Sequence, residues 1–249
     1  MELANLTTSD VAKLDRNCPV VIPVAAVEQH ASHLPLATDS LLLGEVLRRT
    51  QLQCGNHSLF LPLMWLGNSH HHLDFAGTLS AQPRTWIDLL GGTIDNMLDH
   101  GFKRLLVVNG HGGNCVPVSQ CLFEKRQEQR RRDDLLLLGS TYWTLGDPAS
   151  HDLIWAQSEM GHACEWETSM ILRLDASLVG DFENLPDVSM EPSFPPADRA
   201  WLTQERSKAG YIGSPSQATA EKGEALFDCF SRGLVDLIHR VGAWDGVSW

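Results

Sequence analysis

Histidines and carboxylates that could bind metal ions gather in four short clusters along this chain. The clusters comprise Glu28, His30, His33 and Asp39, then His70, His71, His72 and Asp74, then His111, and finally His162, Glu165 and Glu167. Imidazole and carboxylate ligands without cysteine suit zinc, manganese or iron in a hydrolytic site, because mixed nitrogen and oxygen ligation leaves a position for water. A pair of ions also needs a bridging carboxylate, and the clusters hold several candidates. The residue types therefore favour a binuclear hydrolytic site, although each residue alone would more often be a surface or structural polar group.

The clusters follow segments that the sequence predicts to be strands. Residues 19–25 form a β-branched apolar run, and its carboxyl end delivers Glu28 and His30. Two further apolar runs, 59–63 and 104–110, precede two of the other clusters. Ligands of open α/β sheets bind outside the carboxyl ends of the strands, so these side chains are predicted to meet.

Apolar positions at helical spacing alternate with these strands. Helices are predicted after a cap at Asp39 or Ser40 and over the segments 85–100, 118–132, 161–174 and 219–241, with a short helix near 149–157 and a fourth strand at 135–143. The alternation predicts an α/β fold, a three-layer α/β/α arrangement around a mainly parallel sheet. Residues 175–218 are rich in proline and lack periodicity, which predicts a long loop over the surface or into a neighbouring subunit.

The spacing of residues inside the clusters indicates which of them can reach a common site. Glu28 and His30 are two residues apart, so on an extended segment their side chains share one face and reach one site. The glycines of NGHGGN, residues 109–114, allow the main chain to approach a ligand closely, or simply form a tight strand-to-helix turn. The histidine run 70–72 also has two interpretations, a part of the site or a solvated loop. The sequence contains no phosphate-binding glycine motif.

Composition and charge exclude several classes of function. The chain has 249 residues, 43% of them apolar, which suits a single domain over residues 1–249. Its net charge of −12 argues against nucleic acid as a partner, because phosphate binding needs a basic face. Since no apolar run could span a membrane and the first residues do not resemble a secretion signal, a cytoplasmic location is expected. The six cysteines form no CxxC pair and are expected to be reduced thiols.

Four segments, in this order, resemble the signature blocks of the creatininase family of metal-dependent amidohydrolases. They are VIPVAAVEQHASHLPLATD, GNSHHHLDFAGTLS, VVNGHGGN and GHACEWETS, which lie between residues 21 and 169. The resemblance implies an α/β/α layered fold, a homohexamer, and two divalent metal ions at the carboxyl ends of parallel strands. It also implies that a metal-activated water hydrolyses the C–N bond of a small-molecule amide, such as a cyclic amide or a formamide.

The resemblance also assigns metal ligands. Asp39 would bridge the two ions, Glu28 and His111 would complete one metal site, and His30 would bind the other ion. Relatives that share NGHGGN take their last ligand from the block that follows, which makes Glu167 the fifth ligand here.

His162, which opens the last block, resembles the family's catalytic histidine. With an unperturbed pKa of about 6.5, it would protonate the leaving nitrogen after water activated by the cations attacks the amide. Backbone amides around Gly112 and Gly113 would stabilise the developing oxyanion. Together with Ser69, these glycines are expected to contact the substrate.

Two positions depart from family members that hydrolyse creatinine. Those members place a glutamate ligand where this chain has Gly113, and a tryptophan that covers creatinine where it has Ser158, with Trp143 and Trp155 as candidate replacements. The expected substrates therefore widen to amides in general, including opened purine-type rings and small peptides. A non-catalytic metal-binding scaffold is one alternative. A metal-dependent phosphoesterase is another, disfavoured by the acidic chain and by signature blocks without arginine.

Overall fold

Four parallel strands form the centre of the fold in the computed structural model, which describes residues 1–191 and 194–248. The strands are β1 (Val20–Val24), β2 (Leu59–Phe60), β3 (Arg104–Asn109) and β4 (Leu136–Thr141), in the order β2-β1-β3-β4. Every residue of β1 is buried, as expected for a β-branched strand that is covered on both faces. The predicted parallel sheet is confirmed.

Helices cover both faces of this sheet. They are α1 (Thr8–Ala12), α2 (Thr38–Cys54), α3 (Pro83–Asp99), α4 (Cys115–Glu128), α5 (Glu165–Asp175), α6 (Thr203–Arg206) and α7 (Ala220–Ala243). Apolar side chains of α2, α5 and α7 form one buried core with one face of the sheet, and those of α3 and α4 form a second core with the other face. The predicted three-layer α/β/α arrangement is therefore confirmed.

The beginnings of three helices decide where the candidate site residues lie. Helix α2 begins at Thr38, before the predicted cap, so Asp39 lies inside its first turn and makes no capping hydrogen bond. A carboxylate at this position is also favoured by the positive end of the helix dipole. Because α4 and α5 begin at Cys115 and Glu165, His111 and His162 lie in the turns that precede them.

The short helix predicted near 149–157 is wrong beyond a single turn of 3-10 helix at Pro148–Ser150. The backbone amides of Ala156 and Gln157 donate instead to the buried carboxylate of Glu165, at 2.9 and 3.2 Å. These contacts to a distant carboxylate replace the local hydrogen bonds that a helix would need.

The second strand is shorter than the predicted segment 59–63. Its regular ladder with β1 ends at Phe60. The amides of Leu61 and Met64 still donate to β1, so the chain continues beside it toward the histidine run.

The proline-rich segment 175–218 includes residues 192–193, which lie outside the described residues. The stretch 194–202 is exposed, in agreement with the surface loop that was predicted. The stretch that follows it returns to its own chain, where Tyr211 is buried and Ile212 pairs with His162 through backbone hydrogen bonds in both directions. In the parts of the chain that the structure describes, no helix combines the length and apolarity needed to cross a membrane.

Candidate metal centre

The candidate site lies where the chain leaves β1 and β3 toward opposite faces of the sheet. Helix α2 follows β1 on one face, whereas α3 and α4, which flank β3 in sequence, lie on the other. In open α/β sheets this arrangement opens a crevice at the carboxyl ends of the strands. Glu28 and His30 follow β1 and His111 follows β3, and the structure brings all three together there.

Asp39 occupies the middle of the cluster. Its Oδ1 lies 3.3 Å from Nε2 of His30, and its Oδ2 lies 3.1 Å from Nδ1 of His111. The side chain of Asp39 is 4% exposed, so water does not compete for these oxygens. Each oxygen of this one carboxylate therefore lies beside a different imidazole ring.

Each of these two histidines has a second carboxylate beside it. Oε1 of Glu28 lies 3.3 Å from Nδ1 of His111, and Oε1 of Glu167 lies 3.7 Å from Nε2 of His30. The other oxygen of Glu167 accepts a hydrogen bond from the backbone amide of Ala163, which fixes the orientation of the carboxylate. The cluster thus has two halves that share Asp39.

Several polar atoms in the cluster are buried without a hydrogen-bond partner among the described residues. They are Oε2 of Glu28, Nε2 of His30 and Oδ2 of Asp39. A buried polar atom without a partner is costly, and a native fold retains one where another group satisfies it. Ligand atoms of Glu28, His30 and Asp39 lie within 4.8 Å of one another, and so do those of His30, His162 and Glu167. The donor set therefore fits divalent cations.

The charges of the cluster are strongly coupled. Burial by itself lowers the pKa of His30 and of His111, but the adjacent carboxylates outweigh burial and raise both pKa values well above the ordinary value. Burial likewise raises the pKa of Glu28, while His111 and a second histidine beside it lower that pKa well below its ordinary value. Without a cation, protons on the imidazoles are what offset the buried carboxylates.

His162 faces both halves of the cluster. Its Nδ1 lies 3.7 Å from Oε1 of Glu28, and its ring centre lies 4.4 Å from that of His30 at a tilt of 39°. Its Nε2 lies 2.9 Å from the carbonyl oxygen of Gln29 and 2.8 Å from the side-chain amide nitrogen of the same residue, so Nδ1 is the ring nitrogen that faces the carboxylates. Burial and the neighbouring histidines lower the pKa of His162 well below its ordinary value, which keeps the ring neutral.

The backbone next to His162 is held in an unusual conformation. Ala163 has a φ of +47°, a left-handed value that residues with a side chain rarely adopt. Its amide donates to Glu167, and Nε2 of His33 lies 3.1 Å from its carbonyl oxygen, so contacts on both sides stabilise it. His33 thus supports this turn from outside the cluster.

The histidine run makes a larger contribution than the sequence assigned to it. The solvated-loop interpretation is wrong for His72, which is buried with Nε2 3.3 Å from Oε1 of Glu28. The ring of His71 is parallel to that of His111, and burial lowers its pKa to about 4. His70 turns away and contacts Ser80. The position of the run after β2 was the signal that favoured a site.

Gly113 lies where a side chain would collide with the cluster. A Cβ there would come within 2.2 Å of the Asn68 carbonyl oxygen and within 2.4 Å of Nε2 of His111. Gly112 and Gly113 both line the cavity above the cluster, whereas Ser69 is fully buried with its hydroxyl 3.2 Å from Nε2 of His111. In this arrangement Ser69 orients a candidate ligand, and its contact with substrate stays a prediction.

Two other acidic candidates lie outside the cluster. Glu165 is fully buried but pairs with Lys222, and Asp74 is exposed beside Gln204.

A cavity of about 830 Å³ opens above the cluster. Trp143 lines it, whereas Trp155 packs against Trp166 instead. Trp201, from the proline-rich segment, also lines the cavity and lies edge-on to His71 at 5.3 Å. No sequence signal singled out Trp201, because its contact depends on how a segment without periodicity folds back.

The layered fold and the buried histidine and carboxylate cluster together define the class of this protein, an α/β/α metal-binding hydrolase. The creatininase family model, described as creatinine amidohydrolase, matches residues 4–238. Creatinine amidohydrolase from Pseudomonas putida is 28% identical over 235 residues, which cover 89% of this chain and 89% of that relative. Mycofactocin precursor peptide peptidase from Mycobacterium ulcerans (strain Agy99) is 29% identical over 250 residues, which cover 92% of this chain and 90% of the relative.

Solved structures show the same similarity. A crystal structure of creatinine amidohydrolase (creatininase) aligns with a TM-score of 0.80 at 27% identity and covers 96% of both chains. Related creatininase structures are described as a manganese form and a Zn-Zn type. The chain therefore belongs to the creatininase family, whose members are amidohydrolases that act on carbon–nitrogen bonds.

Proposed function

We propose that this protein uses two divalent ions to hydrolyse the C–N amide bond of a small molecule. The observation that carries the proposal is the position of Asp39, whose two oxygens face His30 and His111. A carboxylate between two histidines, each with its own second carboxylate, has the arrangement that a bridging ligand needs.

The proposed ligands divide between the two halves of the cluster. Asp39 bridges the ions, Glu28 and His111 hold one, and His30 and Glu167 hold the other. The distances of 3.1 to 3.7 Å among their ligand atoms support this division, as do the buried atoms that lack partners. Zinc, manganese and iron all suit mixed imidazole and carboxylate ligands.

The remaining residues of the site would move protons and hold the substrate. Divalent ions bound here would supply Lewis acidity and an activated water. His162, neutral and facing the cluster through Nδ1, would carry a proton to the leaving nitrogen. Backbone amides of Gly112 and Gly113, which line the cavity, would donate to the oxygen that gains negative charge. Ser69 would steady His111 and is retained as a predicted substrate contact.

The substrate is proposed to be an amide other than creatinine, such as a cyclic amide or a formamide. By the family resemblance, members that hydrolyse creatinine have a glutamate and a tryptophan at two positions of the site. This chain has Gly113 and Ser158 at those positions. A short peptide is the second candidate, favoured by similarity to mycofactocin precursor peptide peptidase and by a cavity of about 830 Å³. A non-catalytic scaffold is disfavoured, because competent residues occupy every proposed ligand position.

The test is turnover of a substrate panel by protein reconstituted with zinc or manganese. The panel contains creatinine, hydantoin, formamides, dipeptides and, as the competing class, phosphate esters. We expect hydrolysis of at least one amide, with no turnover by the metal-free protein. Turnover of phosphate esters without any amide would contradict the proposal.

The organisation of the protein is proposed to be a single domain over residues 1–249 that assembles as a homohexamer in the cytoplasm. Exposed Leu89, Val116 and Phe123 on α3 and α4 support an association surface. All six cysteines are unpaired, which suits a reducing compartment. Light scattering would measure the oligomeric state directly.

A further inference from the structure

Two arginines stand at the mouth of the metal cavity, on the segment that folds back over it. We propose that the amide substrate carries a carboxylate, and that Arg199 and Arg206 bind it. This inference rests on the proposed hydrolytic function and specifies its substrate class. Both arginines lie outside the four signature blocks, in a segment that the sequence left without a role.

The segment that carries the arginines is attached to the cluster of histidines and carboxylates. Thr203, the first residue of α6, is fully buried, and its Oγ1 lies 2.8 Å from the carbonyl oxygen of His71 and 2.7 Å from Nδ1 of His72. The histidine run therefore connects the cluster on one side to α6 on the other. This anchor lies between Arg199 and Arg206 in the sequence, and both arginines line the cavity.

Arg206 is further positioned by an aromatic ring. Its guanidinium lies 5.0 Å from the centre of the Trp201 ring, and its Nη2 donates to the carbonyl oxygen of Met190 at 3.2 Å. Trp201 in turn contacts His71 edge-on. A guanidinium that stacks on an indole keeps its remaining N–H groups at the ring edge, where they can bind a carboxylate.

Among the described residues, no carboxylate neutralises the charge of these arginines. Arg49, Arg84 and Arg173 each pair with a carboxylate. By contrast, no carboxylate of residues 1–191 or 194–248 lies within 4.0 Å of the guanidinium of Arg199 or Arg206.

Acidic residues that line the cavity mostly belong to the metal cluster. Within the described lining, Glu159 is the one carboxylate outside that cluster. Unpaired cations at the mouth of a cleft attract anions and favour a charged ligand over a neutral one.

The size of the cavity also favours a ligand larger than a small ring. At about 830 Å³, it lies in the upper part of the range for small-molecule sites, roughly 300 to 1,000 Å³. An amide bond at the cluster and a carboxylate at the arginines would occupy both ends of this space.

The experiment uses paired hydroxamates on the zinc-loaded full chain. One member of each pair is a monohydroxamate of succinic, glutaric or adipic acid, and the other carries a neutral carboxamide in place of the carboxylate. Calorimetry gives the dissociation constant of each. We expect the acid to bind about tenfold or more tightly than its amide for at least one chain length, because hydrogen bonds to charged groups contribute that much.

The double substitution Arg199→Gln and Arg206→Gln should abolish the advantage of the acid, whereas Arg131→Gln should preserve it. Arg131 is exposed in the connection from α4 to β4, at the opposite end of the sheet, and its substitution removes the same kind of charge. Equal binding of acid and amide at every length, or an advantage that survives the double substitution, would overturn the inference. If no hydroxamate binds the zinc-loaded protein, the bound zinc has no open position of the kind that hydrolysis needs, and the inference falls together with the proposed function.

Discussion

Oδ2 of Asp39 lies 3.1 Å from Nδ1 of His111, although Asp39 lies on α2 and His111 follows β3. The other oxygen of the same carboxylate lies 3.3 Å from Nε2 of His30. In the proposed arrangement, this carboxylate would be shared by the two ions.

Asp39→Asn is predicted to reduce the bound zinc from two equivalents to one or fewer per chain. Asparagine keeps the size of the side chain but removes the charge that two cations would share. Elemental mass spectrometry after dialysis measures the metal content. Asp74→Asn, at an exposed position, is the matched control and should retain both ions. Two equivalents in Asp39→Asn would show that Asp39 is not the bridging ligand.

His162→Ala is predicted to keep both ions and lower turnover by about 10²- to 10⁴-fold, the usual contribution of a proton-transfer group. Its Nδ1 lies 3.7 Å from Oε1 of Glu28, but His162 is not one of the five proposed ligands. Metal content and turnover are measured on the same preparation. His100→Ala, exposed at the end of α3, controls for loss of a histidine. Loss of an ion from His162→Ala would instead identify His162 as a ligand.

The metal-free protein is predicted to lose stability as pH rises above about 6.5. Burial lowers the pKa of His30 and His111, but the carboxylates beside them raise it overall above the ordinary value of 6.5. Such groups add stability that is complete below the unfolded pKa and is lost as pH rises through the folded pKa. His33 and His71, whose pKa burial lowers to about 4, have the opposite effect, but that effect is complete above 6.5.

Bound zinc would replace these protons, so the zinc-loaded protein should keep its stability as the pH rises. Urea unfolding at about pH 6.5 and pH 8.5, with and without a chelator, measures both effects. An unfolding free energy of the metal-free protein that stays constant or increases over this range would contradict the prediction.

Lys222→Met is predicted to destabilise the fold by about 3 to 5 kcal/mol, because it removes the cation that pairs with the buried carboxylate of Glu165 and leaves it only neutral amide donors among the described residues. The side chain of Glu165 is 0% exposed and that of Lys222 is 11% exposed. Arg84→Met breaks a solvent-screened surface pair with Glu124, so its cost should be much smaller. Denaturant unfolding measures the free energy of unfolding of both variants. Equal losses in the two variants would contradict the prediction.

The sequence predicted most of the layered fold because its strands and long helices carry local apolar patterns. It also predicted that Glu28, His30 and His111 would converge, since residues after parallel strands share one edge of the sheet. The helix at 149–157 was wrong beyond Ser150, where the amides of Ala156 and Gln157 donate to the side chain of Glu165 and not to carbonyl oxygens one turn earlier. A local apolar pattern does not reveal such a side-chain acceptor.

The parts of the site that the sequence left open, such as His72, or missed depend on contacts between distant segments. His72 is buried because Thr203 and Glu28 meet it from both sides, and neither contact leaves a periodic signal. Trp201 and Arg206 reach the cavity only because the proline-rich segment returns to its own chain. The family resemblance predicted the metal ligands, whereas only the structure identified the residues at the mouth of the cavity.

The stoichiometry of zinc binding decides whether this cluster holds two ions, as proposed. The chelated, dialysed protein is titrated with zinc, and bound metal per chain is measured by elemental mass spectrometry. We expect two equivalents, with ligands from both halves of the cluster around Asp39. A protein that takes up no zinc would contradict the hydrolytic site altogether, and one equivalent at saturation would contradict the two-ion arrangement.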